Sequence, residues 1–149
     1  MKSITRIVVA VGLSAVVLAG SSVVFAASYK YTVTLTPTGL KNSQGTPITV
    51  GSGTATITLY PARRQVCYAI TVHGIKLPAK GASIKTYKKG SVGSTVVTLG
   101  APGTSGTSNG CVRRGLRRST INAIHSSPSQ YYVIITTTNT PVGALRGTL

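Results

Sequence analysis

From Gly53 to Tyr60 the chain reads GTATITLY, with threonine at 54, 56 and 58 and the apolar residues Ala55, Ile57 and Leu59 between and after them. Such alternation puts all the apolar side chains on one face of an extended strand and all the hydroxyls on the other. A helix would scatter the same residues around its circumference. The pattern recurs. YKYTVTLT (29–36) sets Tyr29, Tyr31, Val33 and Leu35 on one face, and VCYAITVHGI (66–75) sets Val66, Tyr68, Ile70 and Val72 against Cys67, Ala69, Thr71 and His73. Further extended segments are expected around Ala82, Ile84 and Thr86, in STVVTLG (94–100), in QYYVIITTT (130–138) and in ALRGTL (144–149).

Breakers separate these runs. Pro37 and Gly39 open a loop that continues through Pro47, PARRQ (61–65) reads as a hairpin tip that lifts Arg63 and Arg64 into solvent, and NTPVG (139–143) joins the last two strands. A turn is expected at Gly90–Gly93. The tract 101–110 is rich in Gly, Ser and Thr without an apolar anchor, so a mobile loop is expected there, pinned at its far end by Cys111. The helical signal is confined to Ser119–Ile124, with Ser119 or Thr120 as cap, Ile121 and Ile124 facing the core, and Pro128 closing the segment. Short strands with a turn every ten or so residues predict an all-β fold, a sandwich or barrel of about seven to nine short strands with one short helix.

The first residues divide into a positive start at Lys2 and Arg6, an apolar stretch from Ile7 to Leu18 and a small-residue exit from Ser21 to Ala27. This is the pattern of a secretory signal peptide over residues 1–27, leaving one domain over 28–149. A membrane anchor is the alternative, against which stand Gly12, Ser14 and Gly20 and the short span. Cys67 and Cys111 are the only cysteines, and an even count in an exported chain reads as a crosslink. Two free thiols or a metal pair are the other readings, the latter supplemented only by His73 and His125.

Sixteen basic residues stand against no acidic ones, a formal charge of +16. That imbalance excludes general acid and base work by paired carboxylates and any Ser-His-Asp triad. His73 reads as a strand-face residue and His125 as a helix-end residue able to donate to the last carbonyls. No P-loop is present, since the Gly-rich stretches lack a following GKS or GKT. Catalytic residues, cofactors and metal ligands are therefore not expected.

Near the C-terminus, PSQYYV (128–133) followed by PVGALRG (141–147) and Leu149 resembles the terminal signature of the CHRD family, the domain named after chordin. The resemblance runs back through GTATITLY, VCYAITVHGI and STVVTL to Cys111. It implies a Greek-key β-sandwich in an exported protein. The family pattern also carries histidines at the positions occupied here by Ser83, Lys85 and Thr136, so a metal that such histidines could coordinate is not expected in this chain.

The function expected from these features is that of a secreted or cell-surface, strongly basic, non-enzymatic binding module. Guanidinium forks grip phosphates and sulfates through paired donors. The candidate anion-binding residues are Arg113, Arg114, Arg117 and Arg118 of the CVRRGLRR segment (111–118), with Lys85, Lys88 and Lys89. The partners expected are anionic envelope or matrix polymers, with non-specific nucleic acid or anionic lipid as further polyanions. The rival expectation is a structural protein that self-assembles through sheet edges in VTLT, TATITLY and VIITTT. Arg146, alone in an apolar end strand, is expected to lock the fold by reaching backbone carbonyls or water.

Overall fold

A computed structural model describes residues 26–37, 39–89 and 92–149. The leader expected over 1–27 falls almost wholly outside the described residues, as do Gly90 and Ser91 of the expected turn. Among the described residues eight strands form two antiparallel four-stranded sheets. The first has the order β1 (Tyr29–Leu35), β2 (Ser52–Tyr60), β3 (Gln65–His73), β6 (Thr107–Val112). The second has the order β5 (Thr95–Leu99), β4 (Gly81–Thr86), β7 (Tyr131–Thr136), β8 (Leu145–Thr148). One helix, α1 (Arg118–Ser126), connects β6 to β7. The chain leaves the first sheet after β3, makes the β4–β5 pair, and returns with β6 beside β3, which is Greek-key pairing.

The alternating residues meet between the sheets. Val33, Leu35, Ala55, Ile57, Leu59, Val66, Ile70 and Val72 of the first sheet pack against Ala82, Ile84, Val97, Leu99, Val133, Ile135 and Leu145 of the second, and all are buried. Each fully buried Ile or Leu contributes about 1.5–3 kcal/mol relative to exposure. Leu116, Ile121 and Ile124 belong to the same core. The faces assigned to β1, β2 and β3 from the alternation are the faces observed.

Both open sides of the sandwich are drawn together. On one side Thr36 and Arg146 exchange backbone hydrogen bonds of 2.9 and 2.8 Å, linking the end of β1 to β8. This approach requires Gly147, since a Cβ there would lie 2.2 Å from the Thr34 carbonyl oxygen. On the other side the Tyr68 hydroxyl accepts from the Gly100 amide at 2.8 Å, and Ser108 Oγ donates to the Gly100 carbonyl at 2.7 Å.

Three expectations change. The second half of the 101–110 tract is not a mobile loop: Thr107–Val112 is the edge strand β6, paired along β3 from Thr71↔Thr107 to Val66↔Val112. Ladder hydrogen bonds need backbone, not apolar side chains, and Cys67 stands directly opposite Cys111, joined to it by a disulfide. The helix starts at Arg118 with Arg117 as cap residue and no side-chain cap, so neither Ser119 nor Thr120 caps it. Burial of Leu116 on one side and of Ile121 and Ile124 on the other fixes its position instead. The loop expected after β1 is present and is held by Asn42, whose Oδ1 accepts from the amides of Gln44 and Thr46 at 3.0 and 2.8 Å. Finally, TATITLY and VIITTT lie in β2 and β7, which are interior strands with both edges paired, and β1 is bridged to β8 beyond its end. Two of the three strands expected to offer edges for self-assembly therefore have none.

Candidate functional site

The arginines gather at one end of the first sheet. The β2–β3 connection is a short 3-10 turn, Pro61–Arg63, closed by Arg64 in the left-handed conformation (φ 50°). Arg63 lies over the Tyr60 ring at 5.6 Å, a cation–π contact. The α1 helix packs against this turn. Strand β6 ends at Val112, and Arg113, Arg114, Gly115 and Leu116 make a turn in which the Leu116 amide donates to the Arg113 carbonyl at 3.2 Å. Arg113 Nη2 donates to Gln65 Oε1 at 3.1 Å, tying the two connections together. Arg63, Arg64, Arg113, Arg114, Arg117 and Arg118 are all exposed there. Buried Leu116 sits between the two arginine pairs of CVRRGLRR and anchors the segment, while the flanking guanidinium groups stay in water.

The lysines lie elsewhere. Lys85 is on the outer face of the second sheet, beside Tyr132 of β7, and Lys88 and Lys89 follow the end of β4. The seven residues expected to bind anions thus form two groups, and Arg63 and Arg64 join the arginine group. Ser83, Lys85 and Thr136 share that outer face, Ser83 paired with Ile134 and Thr136 with Gly81. No group of three His, Cys, Asp or Glu side chains meets among the described residues.

The histidines are at opposite ends of the first sheet. His73 is exposed at the end of β3 beside Ser52. His125, near the end of α1, does not serve the helix carbonyls: its ring stacks on Tyr29 with centroids 3.4 Å apart and 13° between planes, and Nδ1 shares a hydrogen bond of 2.9 Å with the Tyr31 hydroxyl. Burial, and then the neighbouring Tyr29, raise the Tyr31 pKa above the ordinary tyrosine value. Alternation places Tyr29 and Tyr31 on one face of β1, where they clasp the helix.

A family model for the CHRD domain matches residues 16–149, nearly the whole length. The chain belongs to the CHRD family. CHRD domains are non-catalytic modules of a binding type. Comparison with curated proteins and with solved structures returns no match. The resemblance read in the tail falls on β7, β8 and their connection in this CHRD domain, including the Gly147 that lets β8 approach β1.

One feature of the second sheet escapes the alternation. Tyr132 and Ile134 point away from the core yet are buried, so β7 is covered on both faces. A continuous apolar run, YYVII, is the signature of such a strand. The cover comes from Leu40 and Gly143: a Cβ on Gly143 would lie 2.8 Å from Ile134 Cδ1 and 3.2 Å from Leu40 Cδ2. The Tyr132 hydroxyl accepts from the Gly93 amide at 3.3 Å. Beside this cover a cleft of about 470 Å³ remains open, and Arg146 lines it. The bonds between Arg146 and Thr36 are made by the main chain and not, as expected, by the guanidinium, which stands against Gly39 with Nη2 3.2 Å from where a Cβ would be.

Proposed function

We propose that this CHRD domain is an exported, non-enzymatic module that holds anionic envelope or matrix polymers at the arginine-rich end of its first sheet. The observation that carries the reading is the convergence of six exposed arginines from two connections, in a chain of 16 basic and no acidic residues. With no carboxylate side chain anywhere to neutralise them, the guanidinium groups remain available to phosphate or sulfate oxygens in paired geometry. The Cys67–Cys111 disulfide fits an oxidising compartment, and the leader-like residues 1–27 supply a route to it. Lys85, Lys88 and Lys89 add to the general field that draws polyanions in.

The test is binding of the purified domain to immobilised heparin, DNA and a polyol-phosphate polymer across a salt series. Binding to one polymer that persists near physiological ionic strength, about 0.15 M, supports the reading. On DNA each phosphate contact adds roughly 0.7–0.9 to the slope of log affinity against log salt, so replacing Arg113, Arg114, Arg117 and Arg118 by Gln lowers that slope by about 3. An unchanged slope in that variant would remove the arginine end as the binding surface.

A further inference from the structure

The cleft on the outer face of the second sheet combines two properties that the arginine end lacks. Its margin carries Tyr87, Val92 and Val142, which are 52%, 50% and 52% exposed. Among the described residues only one other large apolar side chain, Val50, is as open to solvent. Three of four such side chains therefore converge on one concavity, and apolar side chains gathered around a cleft with a few polar groups are the usual lining of a small-molecule site. The floor is Tyr132 and Ile134, already buried. Three cations, Lys41, Lys88 and Arg146, line the same cleft.

A ligand that satisfies this lining needs an apolar body and an anionic head. A bare phosphate would leave the valines and Tyr87 wet, and an uncharged hydrocarbon would leave three cations facing it. We propose that the cleft binds a single-chain amphiphilic anion, an acyl carboxylate, with its head on the Arg146 guanidinium and its chain along Ile134, Val92 and Val142. The planar fork of Arg146 matches a carboxylate bidentately, and the absence of Asp and Glu from the sequence means that no carboxylate side chain of the protein competes for it. The volume falls within the range of small-molecule sites. Lys41 is carried to the rim by the 39–50 loop, which Asn42 holds in shape, so the charge is presented by an ordered segment.

The experiment uses laurate as probe, below its own aggregation threshold, with lauryl alcohol and acetate as controls. Titration is followed by calorimetry and by amide shifts of the labelled domain. Laurate is expected to bind and to shift the amides of Lys41, Val92, Ile134 and Val142, whereas acetate does not bind and the alcohol binds at least about tenfold more weakly. Arg146→Gln keeps the backbone bonds to Thr36 and is expected to weaken laurate binding roughly ten- to hundredfold, as for a lost charged hydrogen bond. Lys88→Gln and Val142→Ser, both at the rim, each weaken it several-fold and keep the test valid if the Arg146 variant unfolds. The variant lacking Arg113, Arg114, Arg117 and Arg118 binds laurate as the parent does, which separates this site from the polymer-binding reading. Equal affinity for the alcohol, shifts spread over the whole surface, or binding to anionic phospholipid vesicles without binding of monomeric laurate would each overturn the proposal.

Discussion

His125 illustrates how a single side chain takes a role its position alone does not specify. A histidine near a helix end can serve the last carbonyls, but here two tyrosines two residues apart on β1 offer a stacking surface and a hydroxyl, and the imidazole takes both. Replacing His125 by Ala removes the stack and the hydrogen bond together, and about 1–3 kcal/mol of stability is expected to be lost in denaturant titration. The partner Tyr31 carries a consequence at high pH. Its pKa is raised in the folded state by burial and then by Tyr29, so the folded protein holds the phenol proton more tightly than the unfolded chain does. That contribution is fully present below the ordinary tyrosine value of about 10 and is lost as pH rises through the folded value. Tyr31→Phe is therefore expected to flatten part of the alkaline fall in stability, measured by unfolding between about pH 9 and pH 11. Gly147 is a residue of the opposite kind, required for what it lacks. A methyl group at 147 would meet the Thr34 carbonyl oxygen at 2.2 Å, so Gly147→Ala is expected to cost about 1–3 kcal/mol as β1 and β8 are pushed apart. The exposed neighbour Thr148→Ala should change stability by less than about 0.5 kcal/mol, and a matching loss there would point to a general weakness of β8 instead.

Among the elements, β6 is the one whose stability depends most on a covalent link. Its six residues, Thr107–Val112, are exposed or half-buried, and the strand has a single apolar aliphatic side chain, Val112, packed against the core. Pairing with β3 and the Cys67–Cys111 bond hold it. Closing a loop over a separation of 44 residues stabilises by about 4 kcal/mol in the chain-entropy treatment. Replacing both cysteines by serine is expected to cost about 2–4 kcal/mol in global stability, with the largest gain in amide exchange at 107–112. Uniform loss of protection across both sheets would mean that the bond supports the whole sandwich and not chiefly this edge. The same strand marks the limit of what alternation can reveal. β1, β2 and β3 are legible because one face of each is buried and the pattern records it, whereas β6 buries almost nothing and its Gly, Ser and Thr residues read as loop. β7 departs from it in the opposite sense: YYVII is buried on both faces, so its apolar residues do not alternate, and the pattern carries no sign of the cover over Tyr132 and Ile134 or of the cleft beside it. The arginines of CVRRGLRR were visible as a charged segment, but their union with Arg63 and Arg64 depends on β3 pairing with β6, which separated stretches of sequence do not announce.

At the scale of the whole molecule the decisive property is a charge of one sign. Most proteins lose stability in acid because carboxylates that are paired or hydrogen-bonded in the folded state must take up protons. This chain has no Asp or Glu side chain, so that linkage has no side-chain carboxylate to act on. Its stability rests on two apolar sheet faces, edge contacts such as Tyr68 with Gly100, and a disulfide, none of which involves a carboxylate side chain. From about pH 5 down to about pH 2, where ordinary domains unfold, the slope of stability with pH is therefore expected to be close to zero at constant ionic strength. What remains is repulsion among the basic groups, which salt screens over about 8–10 Å at 0.1–0.15 M. Melting temperature is expected to rise as salt increases from about 0.01 M to about 0.15 M, and to rise further when heparin supplies the missing negative charge by binding the folded state. Melting curves over this grid of pH and salt separate the two effects. A steep acid transition at fixed salt would show that a titrating group outside the Asp and Glu class governs the fold, whereas a flat acid limb with a rising salt limb would trace the molecule's behaviour to its one-signed charge.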